Sequence, residues 1–145
     1  MRTIAPIAAA LLCITAAQAQ QNGLPRSPAP DRASAYIISP ADGETVASPV
    51  TVKFGLQGMG VAPAGVQQAN TGHHHLLIDV DTLPPANLPL PATAQVVHFG
   101  GGQTETTIEL SPGTHTLQMV LGDHLHIPHD PPVRSQRITI TVAAD

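Results

Sequence analysis

The chain has 145 residues and a formal charge of −4, from 6 Lys plus Arg against 10 Asp plus Glu. That length suits one domain and excludes a two-domain enzyme with a cleft between separately folded halves. The acidic balance, with no Trp, one Tyr and two Phe, removes both the positive potential and the stacking platforms that nucleic-acid partners require.

Met1 and Arg2 precede an apolar stretch from Ile4 to Ala17, and Ala17-Gln18-Ala19 has the small-x-small form of a secretory cleavage site. Residues 1–19 therefore read as a signal peptide, and the product as periplasmic or secreted. Cys13 follows Leu12 within the apolar stretch, so it lacks the small preceding residue of a lipoprotein site. It is the single Cys of the chain, so its removal with the leader leaves neither disulfides nor thiolate metal ligands. No later stretch approaches the twenty apolar residues of a membrane span. Residues 20–34 (QQNGLPRSPAPDRAS) are polar and Pro-rich and predict a flexible spacer before a domain at 35–145.

From there the hydrophobic period is two. Val50, Val52, Phe54 and Leu56 alternate with polar or small neighbours, as do Leu117, Met119 and Leu121, then Ile138, Ile140 and Val142. The pattern predicts half-buried strands A to G at Tyr36–Ser39, Pro49–Leu56, His73–Val80, Gln95–Phe99, Thr104–Leu110, Thr114–Gly122 and Val133–Val142. Ala41-Asp42-Gly43, Ser111-Pro112-Gly113 and Pro131-Pro132 supply turns between them. The fold class is all-β: an immunoglobulin-like antiparallel β-sandwich of about seven strands, without the core Trp and inter-sheet disulfide of antibody domains.

The segments GMGVAPAG (58–65), NTGHHHLLID (70–79), HFGGGQTET (98–106) and HIPHDPPV (126–133) resemble a family of secreted bacterial domains catalogued as domain of unknown function 4399. Some of its members carry a rod shape-determining label. The resemblance spans roughly residues 36–143 and implies a secreted domain with no assigned activity.

Eight His in a chain whose charged fraction is 11 % are its main chemical feature. In seven-strand sandwich topology the B–C, D–E and F–G connections emerge at one end. His73, His74 and His75 open strand C, His98 closes strand D, and His124, His126 and His129 lie in the F–G connection. Seven of the eight thus map to one end from three segments. His115 shares the inward parity of Leu117 and Met119 and occupies a tyrosine-corner position, which predicts a structural ring bonded to nearby backbone. By strand parity His74 points inward, with Leu76 and Ile78, while His73 and His75 face the other way.

Imidazoles converging without thiolates suit Cu(II) or Zn(II) rather than Mg(II) or Ca(II). The expected ligands are His73, His75, His98, His126 and His129, followed by His124 and His74. Met59 reads as packing, and Gln103, Glu105, Asp123 and Asp130 are candidate acceptors for ring N–H groups. His124-x-His126-x-x-His129 has the spacing of a metallo-β-lactamase-type motif, but Pro128 stands where that motif has Asp. Gly100-Gly101-Gly102 precedes a strand rather than a helix, so it predicts a tight backbone approach to the histidines and not a phosphate loop. The sequence therefore predicts a non-enzymatic metal-binding module for capture, buffering or delivery. The alternative is an envelope interaction domain that binds a protein or glycan through the same His-rich loops.

Overall fold

The computed structural model describes residues 23–144; the predicted signal peptide and Cys13 lie outside the described residues. Nine strands follow in order: β1 (Ser34–Ser39), β2 (Thr45–Val46), β3 (Val50–Gln57), β4 (Gly60–Val61), β5 (Thr71–Ile78), β6 (Val96–His98), β7 (Glu105–Ile108), β8 (Gly113–Gly122) and β9 (Ile138–Val142). Seven of them correspond to the predicted A to G. The additions β2 and β4 are two-residue strands pairing in parallel with β9 and β5, too short to show any period. Among the described residues no helix is long and apolar enough to cross a membrane.

The strands form a three-stranded sheet in the order β1-β3-β7 and a six-stranded sheet in the order β2-β9-β8-β5-β4, with β6 also on β5. This is the predicted sandwich. Val50, Val52 and Phe54 from β3 meet Leu76, Leu117, Met119, Leu121 and Ile140 between the layers, and all are nearly inaccessible to water. Burial of this area supplies the main drive to fold.

Two features govern the position of the histidines. In constant-type immunoglobulin domains the fourth strand joins the sheet of the first two, but β6 crosses to β5 and pairs His98 with His75, Val97 with Leu76 and Val96 with Leu77. In addition, β5 is buried on both faces. The β5–β6 connection folds over its outer side, where Leu90 packs with Leu77, Val96 and Val120 in a second apolar cluster, joined by Leu83 and Val80.

Strand G was predicted from Val133, yet β9 begins at Ile138. Ser135 accounts for the interruption: its hydroxyl accepts from Met119 N at 2.9 Å and donates to Gln136 O at 2.6 Å, so a side chain replaces part of the ladder. Within the predicted spacer, residues 24–30 hydrogen-bond to the domain. Leu24 N donates to Asn87 O at 3.1 Å, Ala29 N donates to Asp130 O at 2.9 Å, and Pro28 bridges Asp130 in parallel. Pro25, Pro28 and Pro30 restrict this segment before it docks, which lowers the entropic cost of ordering it.

Candidate metal centre

His73 and His75 are two residues apart on β5 and therefore share a face, the outer one. Antiparallel pairing sets His98 of β6 directly beside His75. On the other flank Gly122 of β8 pairs with His73. A Cβ at Gly122 would lie 2.8 Å from His75 Cε1 and 3.2 Å from the His126 backbone, and one at Gly100 would lie 2.5 Å from His98 Cε1. The missing side chains make the space the rings occupy. The prediction that a glycine run lets backbone approach the histidines thus holds at Gly100.

His126 completes the group from the β8–β9 connection, where its backbone is left-handed at φ 66°. This conformation is uncommon outside glycine. His73, His75, His98 and His126 each offer one ring nitrogen, and these atoms all lie within 4.8 Å of one another. His73 Nε2 and His126 Nδ1 are 3.0 Å apart. Four nitrogens bound to one tetrahedral ion at 2.0–2.1 Å sit about 3.3 Å apart, so this set could hold one ion once its rings draw closer together. The floor, His73 and His75, is fully buried, while His126 is half-buried and His98 reaches the surface.

The electrostatics favour neutral rings. Burial, reinforced by His126 and His98, lowers the His73 pKa to about 4. Burial, with His73, His98 and His126 nearby, lowers His75 to about 3. His126 is lowered by burial and by His98. Neutral imidazole is the metal-binding form. His73 Nδ1 and both nitrogens of His75 are buried without hydrogen-bond partners. A buried polar group left unpaired costs about 1–3 kcal/mol, and an ion bound through one nitrogen of each ring would offset part of that cost.

The other predicted ligands are placed elsewhere. His74 points inward, as its parity predicted, and its ring meets Phe54 edge-on at 4.9 Å in the core. His129 Nε2 bonds to Thr71 O at 3.1 Å, and with His124 it lines a separate cleft of about 250 Å³. The metallo-β-lactamase-type spacing is therefore not used as a unit, because only His126 of its three histidines joins the cluster. His115 bonds back to Ser111 O at 2.8 Å, with Asp79 on its other nitrogen at 2.7 Å, in keeping with a structural corner. Met59 packs against the core.

Three of the four candidate acceptors are committed to other partners, and the fourth, Glu105, is exposed. Asp130 pairs with Arg26, Gln103 accepts from Gly101 N, and Glu105 belongs to the β3–β7 pairing. Asp123 accepts from Ser27, Leu125 and Ile127. Burial acts to raise its pKa, but these hydrogen bonds outweigh it and hold the pKa below the ordinary value.

The family model described as "Domain of unknown function (DUF4399)" matches residues 52–143. The chain belongs to this family. No curated protein and no solved structure matches it. The DUF4399 match spans all four clustered histidines together with Gly100 and Gly122. It begins after β1, so the Arg26–Pro30 segment lies outside it.

Sequence reasoning missed the importance of Asp123 and Ser27. Asp123 was legible only as one loop carboxylate among several, and Ser27 only as part of a polar linker. Their contact joins residues 96 positions apart, and no periodicity registers such a pairing.

Proposed function

We propose that this DUF4399 domain is an exported metal-binding module that holds Cu(II) or Zn(II) on His73, His75, His98 and His126, for capture, buffering or delivery. One observation carries the reading: four ring nitrogens from three chain segments lie within 4.8 Å of one another, over a floor in which His73 Nδ1 and both His75 nitrogens are unpaired. An all-imidazole set matches borderline cations and lacks the carboxylate oxygens that Mg(II) and Ca(II) prefer. Four protein ligands fill a tetrahedral shell, whereas catalytic zinc keeps a position open for water or substrate. Asp123, with both oxygens bonded, is not free to act as a general base. Both points favour binding over catalysis. The surface position of His98 gives the ion a route in and out.

The test is metal titration of the untagged mature chain against a competing chelator. One equivalent of Cu(II) or Zn(II) binds, and Ala at any of the four clustered positions weakens affinity by roughly 100-fold, about 3 kcal/mol. His124→Ala and His129→Ala change it by less than about 3-fold. Micromolar or weaker affinity that is insensitive to these changes would favour an envelope interaction domain instead.

A further inference from the structure

The fourth ligand is held differently from the other three. His73, His75 and His98 are fixed by strand pairing, whereas His126 depends on a loop. An antiparallel bridge between Gly122 and Pro128 closes that loop, and Asp123, 2 % exposed, organises its interior. Asp123 N donates to Ile127 O and His126 N donates to Asp123 O, each at 2.9 Å. One carboxylate oxygen, Oδ1, accepts from Leu125 N at 2.8 Å and Ile127 N at 3.0 Å. The other, Oδ2, is met from outside the loop by Ser27 Oγ, which donates to it at 2.7 Å.

Ser27 belongs to a strap laid along the far side of the same loop. Asp130 N donates to Ser27 O at 2.9 Å, and Ala29 N donates to Asp130 O at 2.9 Å. Arg26 Nε donates to Pro128 O at 3.0 Å, its guanidinium also bonds the His129 carbonyl, and it pairs with Asp130 at 3.1 Å. A buried carboxylate is stable only when its oxygens are bonded. Removing the Ser27 hydroxyl therefore loosens the group that keeps His126 in its left-handed conformation.

We propose that Arg26 and Ser27 clamp the β8–β9 loop and, through Asp123, set how tightly the four-histidine centre grips its ion. This rests on the metal-binding reading above. Preorganisation is the physical basis: a ligand already in place loses less freedom on binding, so affinity falls when its support is removed. Release of the strap leaves three strand-borne histidines and an exchangeable fourth position.

Two readouts test the clamp in the full mature chain. In the metal-free protein, Ser27→Ala raises hydrogen exchange at the His126 and Ile127 amides by about 10-fold or more, leaving β5 amides unchanged. Zn(II) affinity, read by chelator competition, falls roughly 5- to 10-fold in Ser27→Ala and is retained in Ser27→Thr, which keeps the hydroxyl. The same Ser27→Ala change made on top of His126→Ala leaves the residual affinity unaltered. Unchanged exchange in Ser27→Ala overturns the clamp, as does an equal affinity loss with and without His126. Failure of the wild-type chain to bind Zn(II) would sink the four-histidine reading and with it any control of grip, while the exchange rates still decide whether the strap holds the loop.

Discussion

Each histidine has a chemistry set by what its nitrogens meet. His115 sits between an anion and a carbonyl: Asp79 Oδ2 at 2.7 Å and Ser111 O at 2.8 Å, with Asp79 Oδ1 also accepting from Thr116 N at 2.8 Å. The hydrogen bond that His115 Nδ1 donates to Asp79 comes first among the influences that raise its pKa above 6.5. A pKa raised on folding means that the folded state holds the proton more tightly. The pair's contribution is therefore complete below the unfolded value of about 6.5 and disappears as pH rises through the folded value. Asp79→Asn keeps an acceptor for Thr116 N and removes the charge. It should cost about 1 kcal/mol in urea unfolding at pH 6 and less at pH 9. A loss independent of pH would show that His115 is held by shape alone. His74 behaves in the opposite way. Burial beside Phe54 lowers its pKa to about 4, which makes it a core residue despite its place between two candidate ligands.

At the scale of elements, β5 and β8 act as a pair in which one strand carries the rings and the other leaves room for them. Their register sets Gly122 against His73 and Val120 against His75, so the outer face of β8 passes from apolar cover to open space at the centre. Gly122→Ala tests this directly. The added methyl would press on His75 Cε1 at 2.8 Å and on the His126 backbone at 3.2 Å, and neither neighbour can withdraw without leaving the cluster. The expected result is destabilisation of about 1–3 kcal/mol, with a loss of Zn(II) affinity larger than that of Ser27→Ala. Wild-type affinity in Gly122→Ala would mean that the rings do not need this geometry.

For the whole molecule, the sandwich is a rigid frame whose outer face, not its core, carries the candidate centre. An ion held by the folded chain and not by the unfolded one stabilises it by RT ln(1 + [L]/Kd), about 2.7 kcal/mol at a hundredfold excess over Kd. For a domain of this size that corresponds to a rise in Tm of roughly 10 °C, reversed by a chelator. Differential scanning calorimetry with and without Zn(II) checks this, and a Tm insensitive to metal would count against a site linked to folding.

Much of this was written in the chain itself. Period-two alternation through Val50, Val52 and Phe54 determines strands, because only a pleated segment places such residues on one side. The same parity sends His74 inward and His73 and His75 outward, and the structure agrees. The strand pattern, placed on sandwich topology, identified a histidine-rich end. The first-ranked ligands included all four histidines that meet, but the exclusion of His129 and the contacts that gather the four were not legible there, because they depend on neighbours distant in sequence. β6 joins β5 rather than the β1-β3-β7 sheet, which brings His98 to His75. The loop anchored by Asp123 turns His126 toward the cluster and leaves His124 and His129 facing a different cleft. A three-residue strand and a buried carboxylate carry no periodic signature. Their placement is decided by which neighbours satisfy them, and those neighbours exist only once the chain has folded.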